Sequence, residues 1–229
     1  MPAHLSAPRW YWSLKIDPGV SGVILNDGWK QGSTILIANT AVIDTVPDED
    51  AILKSFHSKK ARQYIRKAGR MGVEVRRASR EDLPAILDLY HKTAEEDNFF
   101  IHDDHYYQVA FDAMDDVNQV FVAECEGRLL AFLWNVTTPA AAFELWGGVN
   151  EEGKTKRANY LLKWTAILEA KQSGAALYDL NGLLNDGISK FKMLFIEEPT
   201  QWIGTFDKPL SPLFSVWEGS LRLYRRLFK

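Results

Sequence analysis

Three apolar stretches follow one another between residues 119 and 149, with only short polar breaks between them. Residues 119–125 lead directly into Glu126-Gly127, a dipeptide that suits a tight turn, and residues 128–137 and 141–149 come next. Short stretches rich in β-branched and aromatic residues favour strands over helices. The sequence therefore predicts an antiparallel meander of three strands at the centre of the fold.

Helical patterns flank this meander along the chain. The sequence predicts a short strand and two helices before it, and a helix and a strand after it, at residues 73–76, 79–95, from 103, 155–173 and 176–180. The first of these helices opens with a capping box at residues 79–82. The order β-α-α-β-β-β-α-β is typical of the GNAT acyltransferase fold. We therefore predict an α/β (α+β) class with a mixed, mostly antiparallel sheet flanked by helices.

Composition excludes several classes of protein. The chain has 229 residues, of which 46% are hydrophobic and 25% charged, and these values are typical of a globular protein of one to one and a half domains. It contains no apolar run of about 18 residues, as a membrane helix needs, and its N-terminus lacks the apolar core of a secretory signal. Cys125, the single cysteine, cannot form an internal disulfide. A cytoplasmic protein is the expectation.

Motifs for metal or nucleophilic chemistry are also lacking. His102 and His105 have the i, i+3 spacing of helical metal ligands, but no further ligand pair supports them, so we interpret them as the start of a surface helix. No Gly-x-Ser-x-Gly or Walker motif occurs. We therefore predict neither a metal nor a cofactor, and we expect Cys125 to lie in the core.

The stretch after the predicted meander differs from a coenzyme A site. Acetyl-CoA enzymes of the GNAT fold need a glycine-rich turn there, whose amides hold a pyrophosphate. Residues 148–160 lack that spacing and place Glu151 and Glu152 where the phosphates would lie. Lys154, Lys156 and Arg157 follow, and their charges suit either a phosphate partner or a solvated surface.

Basic segments lie near both ends of the chain. Residues 33–44 are rich in β-branched residues and predict one or two strands, and acids after Pro47 predict a helix start. Residues 58–70 predict a basic helix that ends near two glycines. Residues 210–229 predict an amphipathic helix with a separate stripe of cations. That helix could lie on an anionic membrane surface or pack its aromatic face onto the protein.

Several segments together resemble one family. The combination includes Phe191-Lys192 shortly after Tyr178-Asp-x-x-Gly182, behind a basic Arg-x-x-Ile-Arg-Lys-Ala helix. In order and spacing these segments resemble the FemABX family, the aminoacyl-tRNA-dependent transferases that build peptidoglycan cross-bridges. The segments that carry the resemblance are residues 14–18, 57–75, 178–182, 189–195 and 202–207.

The resemblance implies a domain map. FemABX proteins have two GNAT-like lobes, and their C-terminal tail returns to the first lobe. On that map, residues 1–72 are a remnant of the first lobe with the basic helix, residues 73–195 are a GNAT-like lobe, and residues 196–229 are the returning strand and amphipathic helix. Most of the first lobe, which carries one wall of the precursor site, is then absent. A partner subunit could supply that wall.

The resemblance also implies catalytic residues. An aminoacyl ester is already activated, so a cation near the developing oxyanion is the most useful group that a protein can offer. The lysine of the family motif matches Lys192, with Phe191 shaping the pocket for the terminal nucleotide. Asp179 could orient Lys192 or the attacking amine, or it could cap the next turn. Lys192 could also be an exposed helix residue.

Further candidates come from the same comparison. Trp146 matches an aromatic position of the acceptor channel, although it could equally be a core residue. Glu96 stands where many members have an arginine that binds a precursor phosphate, which favours a cationic or amine-bearing acceptor. Other substrate-binding candidates are Phe100, Tyr160 and Lys190. Candidate contacts to tRNA, any of which could instead form a solvated basic face, are Lys59, Lys60, Arg62, Arg66, Lys67, Lys156 and Arg157.

The resulting prediction is an aminoacyltransferase that uses aminoacyl-tRNA. Its acceptor would be a lipid-linked or nucleotide-linked peptidoglycan precursor, or another amine, and the protein would be cytoplasmic, with the inner membrane face as a further contact. Two alternatives stay open. One is an N-acyltransferase that uses coenzyme A, and the other is a non-catalytic binding or accessory subunit.

Overall fold

The computed structural model describes residues 13–16, 29–32, 37–184, 187–202 and 206–227. By its internal contacts the chain divides into two compact units. The larger unit comprises residues 40–200, and the smaller comprises residues 1–39 and 201–229. The predicted lobe boundary at residue 73 stays a prediction.

The larger unit contains both strands and helices. From the unit boundary, its elements in chain order are β3 (Asn39–Asp44), α1 (Glu49–Ser55), α2 (Lys59–Arg70), β4 (Glu74–Arg77), α3 (Leu83–Asp97), α4 (Asp104–Ala113), β5 (Asn118–Cys125), β6 (Arg128–Thr137), β7 (Ala141–Val149), α5 (Glu151–Lys156), α6 (Ala158–Gln172), β8 (Leu177–Gly182), α7 (Gly187–Lys192) and, at its end, β9 (Thr200–Gln201).

The strands form one sheet in the order β4-β5-β6-β7-β8-β3-β9. Strands β4 to β7 pair antiparallel, and β3 pairs antiparallel with β8. Strands β7 and β8 are parallel, and they pair only where residues 141–143 face residues 177–179. Beyond that point the two strands continue without pairing to each other. The predicted mixed, mostly antiparallel sheet flanked by helices is confirmed.

A β-bulge in β7 changes which side of the sheet its residues face. Trp134 of β6 is opposite Trp146, but the next residue, Asn135, is opposite Glu144, so Leu145 is an extra residue. An extra residue shifts the alternation of side chains. Glu144 and Trp146 therefore point to opposite faces of the sheet, although only one residue separates them.

Each face of the sheet carries its own hydrophobic core. One core joins the sheet to α1, α2 and α6, and contains Phe56, Ile65, Phe121, Ile167 and Phe195. The other joins it to α3 and α4, and contains Leu83, Ile86, Tyr90, Tyr107 and Trp134. Cys125 is buried in the first core, as predicted. The helical spacing of Leu83, Ile86, Leu87 and Tyr90 in the sequence predicts a buried stripe, and all four are buried in α3.

The helix starts predicted after Pro47 and from residue 103 are confirmed, and an aspartate caps each of them. Asp48 accepts a hydrogen bond from the Ala51 N–H at 2.8 Å, and Asp103 accepts one from the Tyr106 N–H at 2.9 Å. The single helix predicted over residues 155–173 is wrong at its start. Two helices, α5 and α6, meet there, because Arg157 adopts a left-handed conformation with φ +64° and breaks the helical hydrogen bonding.

The elements of the smaller unit are β1 (Ser13–Ile16), β2 (Lys30–Gln31), β10 (Phe206–Pro209) and the helix α8 (Pro212–Leu227). Its three strands form an antiparallel sheet in the order β1-β10-β2. Within the predicted strand over 33–44, residues 33–36 lie outside the described residues, and the strand begins only at Asn39. In the predicted basic stripe of α8, the side chains of Arg222 and Arg225 and all of Lys229 also lie outside them. Among the described residues, no helix has the length and apolar character needed to cross a membrane.

Candidate active site at the end of strand β8

Lys192 lies at the end of α7, next to the end of β8. Its Nζ donates hydrogen bonds to the backbone carbonyls of Asn181 at 3.2 Å and Gly182 at 3.0 Å. Asn181 has φ +67°, in the left-handed region that asparagine tolerates better than most residues. The left-handed turn at Asn181, within the last residues of β8, therefore presents two carbonyl groups that hold the ammonium in a half-buried position.

Asp179 lies two residues before Asn181 and is buried. Its carboxylate accepts hydrogen bonds from the Thr40 hydroxyl and from the Asn181 N–H, the latter at 2.7 Å. Burial raises the pKa of Asp179, and these hydrogen bonds and the charge of Lys192 oppose that rise. The carboxylate thus caps the turn that holds Lys192. A direct role in orienting the attacking amine stays a prediction.

Phe191 belongs to an aromatic cluster beside Lys192. Its ring centroid lies 5.0 Å from that of Tyr160 and 5.2 Å from that of Phe195, both in edge-to-face geometry. Tyr160 in turn contacts Tyr64 of α2 at 5.1 Å. Phe191 is half-buried and Tyr160 is buried. The structure therefore brings three of the predicted residues, Lys192, Phe191 and Tyr160, close together on one side of the sheet.

A buried polar network next to this cluster was not predicted from the sequence. Lys163 of α6 contacts both carboxylate oxygens of Glu144 at 2.5 and 2.6 Å. The Tyr178 hydroxyl donates to the same carboxylate at 2.9 Å and accepts from the Asn135 amide at 2.9 Å. Burial raises the pKa of Tyr178 well above its ordinary value, which keeps the hydroxyl protonated as a donor. The sequence signal available for this network was a lysine and a glutamate that interrupt the apolar stretches of α6 and β7.

Trp146 lies on the opposite face of the sheet. It forms edge-to-face contacts with Trp134 at 4.9 Å, Tyr107 at 5.0 Å and Tyr106 at 6.1 Å, and it is half-buried. Near the start of α4, His102 stacks on Tyr106 at 4.0 Å. Among the described residues, no group of three or more metal-ligating side chains occurs.

The other predicted substrate-binding residues are dispersed at the surface. Glu96 at the end of α3 is exposed and pairs with Lys154 at 3.2 Å, and Lys154 also pairs with Glu151 at 2.7 Å. Phe100 is fully exposed, and Lys190 of α7 is exposed. These three side chains are not part of the aromatic cluster beside Lys192.

The predicted tRNA contacts lie on α2 and at the junction of α5 and α6, and α2 packs against α6. The buried residues of α2 are Ala61, Ile65 and Ala68, and its exposed cations lie on the other side. Arg62 instead donates to the Phe56 and Lys54 carbonyls and caps the end of α1. The guanidinium of Arg157 lies 4.7 Å from the Tyr64 ring, and Lys156 donates to the Met71 carbonyl at 3.5 Å. The exposed cations are Lys59, Lys60, Arg66, Lys67 and Arg70.

Comparison with known proteins gives a consistent assignment. The FemAB family profile matches residues 28–128 and 126–218. The crystal structure of FemX superposes with a TM-score of 0.77 at 20% sequence identity, over 90% of this chain and 74% of FemX. A conserved protein of unknown function from Bacteroides thetaiotaomicron gives 0.59 at 11% identity, over 82% and 64%. The C-terminal domain of a putative lysylphosphatidylglycerol synthetase from Agrobacterium fabrum gives 0.54 at 13% identity, over 85% and 66%. No curated protein sequence matches significantly. Since the family profile covers most of the chain, the protein belongs to the FemAB family.

Proposed function

We propose that this protein transfers an aminoacyl group from aminoacyl-tRNA to an amine of a peptidoglycan precursor stem peptide, and so forms an interpeptide bridge. Membership of the FemAB family supports acyltransferase chemistry. The observation that carries the proposal is the Lys192 ammonium, which two backbone carbonyls hold beside Phe191 at the end of β8. An ammonium fixed in this way suits a reaction that develops negative charge on oxygen.

The reaction needs no nucleophile from the protein. The acceptor amine attacks the ester carbonyl, a C–N bond forms, and the carbonyl oxygen becomes an oxyanion. The C–O bond to the ribose then breaks, and the proton lost by the amine replaces that bond on the ribose oxygen. Lys192 would stabilise the oxyanion, a contribution of about 3–4 kcal/mol for a well-placed donor. Phe191 and Tyr160 would form the apolar wall for the terminal nucleotide.

The acceptor side is proposed at the opposite face, next to Trp146. The carboxylate of Glu96 would favour an acceptor that carries an amine, whereas it would repel a phosphate. Lys154 lies 3.2 Å from Glu96 and partly compensates that charge. Phe100 and Lys190 are exposed and would meet only a large acceptor that extends beyond the sheet. A partner subunit that completes the acceptor wall stays part of the proposal.

The structure argues against coenzyme A as the donor. After β7 the chain enters α5, whose first turn carries Glu151 and Glu152. Glu152 pairs with Arg128 at 3.0 Å, and this contact lowers its pKa and favours the charged form. Two carboxylates in the first helical turn oppose a pyrophosphate at the same amides. A non-catalytic role would leave the arrangement around Lys192 without a purpose.

The proposed donor places the reaction in the cytoplasm, with the membrane surface as a further contact. Helix α8 exposes an apolar face that includes Leu213, Val216, Trp217, Leu223 and Leu227. Arg226 is exposed near the end of α8 and adds positive charge there. Apolar side chains with adjacent cations suit an anionic lipid surface, where a lipid-linked precursor would be found.

A transfer assay tests the proposed function. The purified chain is mixed with radiolabelled alanyl-, glycyl- and seryl-tRNA and with lipid-linked and nucleotide-linked precursors. Label should move to the precursor, and Lys192→Ala should lower kcat about 100- to 1,000-fold, as the loss of one oxyanion donor does. Lys92→Ala removes an exposed lysine of α3 and serves as the control.

Each outcome of this assay has a distinct meaning. Equal transfer by Lys192→Ala and the unaltered protein would refute the role of Lys192 while keeping the reaction. Transfer from acetyl-CoA, without transfer from any charged tRNA, would replace the proposal with the coenzyme A alternative. The absence of transfer from both donors, in the presence of both precursors, would contradict the proposal for this chain acting alone.

A further inference from the structure

The ion pair of Glu144 and Lys163 is the most deeply buried charged contact of the larger unit among the described residues. Both side chains are less than a tenth exposed. Lys163 comes from the middle of α6, whose neighbouring positions are largely apolar, and Glu144 comes from the bulged part of β7. Burying two charges is costly, and an apolar pair of similar volume is often as stable. The pair therefore calls for an explanation other than stability.

Lys163 contacts the segment that carries Lys192 directly. The Lys163 ammonium lies 5.6 Å from the centre of the Phe191 ring, the residue immediately before Lys192. It also lies 5.8 Å from the ring of Phe195. A cation over an aromatic face is attracted by the ring, and more strongly where water is excluded. Lys163 thus fixes the ring that precedes Lys192.

The Glu144 side of the pair reaches Lys192 by a second route. The backbone carbonyl of Glu144 accepts a hydrogen bond from the Asn181 side-chain amide at 2.9 Å. Asn181 supplies one of the two backbone carbonyls that hold the Lys192 ammonium. The Glu144 carboxylate also accepts from Tyr178, which lies in β8 three residues before Asn181. Glu144 therefore links β7 to β8 where the two strands cease to pair.

We propose that Glu144 and Lys163 are positioning residues for the Phe191-Lys192 segment. The pair holds the Phe191 ring from one side and the turn at Asn181 from the other, so that the ammonium of Lys192 stays in one place during acyl transfer. This inference rests on the proposed function for its effect on catalysis. Its effect on Lys192 itself can be measured without any activity.

The main test replaces both charges with neutral side chains of similar size, Glu144→Gln together with Lys163→Met. Replacing only one would leave an unpaired buried charge, and the protein could then lose its fold. The double variant should lower kcat at least tenfold and change KM for both substrates less than twofold. Unchanged kcat, or a change confined to KM, would overturn the proposal. Lys171→Met is the control, because Lys171 lies on the same helix but binds the carbonyls of residues 45–47.

A combination with Lys192→Ala distinguishes positioning from general loss of stability. If the pair acts through Lys192, the triple variant should be no less active than Lys192→Ala alone. Losses that multiply would mean that the pair acts independently of Lys192, which would overturn the inference.

Chemical labelling gives a readout that does not depend on transfer. The folded protein is treated with acetic anhydride, and mass spectrometry measures how fast Lys192 is modified relative to Lys190 on the same helix. The double variant should raise the Lys192 rate at least fivefold and leave Lys190 unchanged. If the unaltered protein transfers nothing, the proposed function fails, and this rate alone decides the inference: an unchanged rate overturns it.

A second variant keeps the test decisive if the double variant fails to fold. Asn181→Gly removes the amide that binds the Glu144 carbonyl and retains the positive φ at no steric cost. The same rise in Lys192 labelling is expected. An unchanged rate would show that the link through Glu144 does not position Lys192.

Discussion

The exposed face of α2 yields a quantitative prediction for tRNA binding. Lys59, Arg66 and Arg70 lie within about 40° of one another around the helix axis, opposite the buried Ala61 and Ile65. They span about 16 Å along the axis, enough to meet several phosphates of an RNA duplex. Replacing all three with glutamine removes these charges from the solvent side, so the free energy of unfolding should change by about 0.5 kcal/mol or less.

The expected loss of affinity follows from counterion release. Each phosphate contact contributes about 0.9 to the slope of log K against log salt, so three lost contacts should reduce the slope by nearly 3. At a salt concentration of about 0.15 M each lost contact weakens binding about fivefold, so the three together weaken it about 125-fold. A solvated basic face with no bound RNA would show no such change.

The assay is the anisotropy of a fluorescent tRNA, titrated with protein between about 50 and 200 mM salt. A charge-matched control replaces Arg80, Lys92 and Arg128, which are exposed on other parts of the larger unit. Because it changes the net charge equally, the control removes the effect of overall charge. An unchanged slope in the α2 variant, or an equal fall in the control, would refute the assignment of α2 to the tRNA.

Three further predictions concern stability and membrane contact. Gly153→Ala should lower the free energy of unfolding, measured in urea, by about 1–3 kcal/mol, because the added Cβ would lie 2.6 Å from the Leu130 carbonyl oxygen. Gly69→Ala is the control and should not destabilise the protein, because a Cβ at this position of α2 meets open space. Asp82→Asn should lower the free energy of unfolding by about 1 kcal/mol at neutral pH, because the contact with Arg76 stabilises the charged carboxylate and lowers its pKa to about 2. Asp82 becomes protonated as the pH falls through 2, so the difference in stability between the variant and the unaltered protein should then vanish. An equal difference at low pH in thermal unfolding would contradict this. Trp217→Ser should reduce the amount of protein that sediments with vesicles of anionic lipid at least threefold. Equal amounts for the variant and the unaltered protein would argue against the membrane contact of α8.

The sequence contains enough local information to predict most of the helices and strands. Caps such as Asp48 and Asp103 determine helix starts through hydrogen bonds within one turn, so they can be read without knowledge of the fold. The meander over 119–149 was likewise predicted, because its strands are continuous apolar runs joined by short turns. Lys192 was singled out through the family motif and not through chemistry, and the sequence left open whether it lies in the site or on an exposed helix surface.

Features that depend on distant partners were not predicted. Lys163 and Glu144 are 19 residues apart, and neither has a partner within its own element that would mark the pair. The bulge at Leu145 was not predicted either, because the extra residue is visible only in the pairing of β7 with β6. The break at Arg157 was missed because an arginine in a left-handed conformation is unusual without a neighbouring glycine.

The bulge explains why the predicted site residues fall into two groups. Without the extra residue, Glu144 and Trp146 would point to the same face, and the network around Lys163 would lie with the aromatic residues near Trp134. The bulge instead assigns Glu144 to the face of Lys192 and Trp146 to the other. The two groups can approach each other only where β7 and β8 cease to pair, beyond Phe143 and Asp179. For the proposed reaction, we expect the acceptor amine to reach the ester carbonyl where these strands no longer pair, beside the hydrogen bond between Asn181 and Glu144.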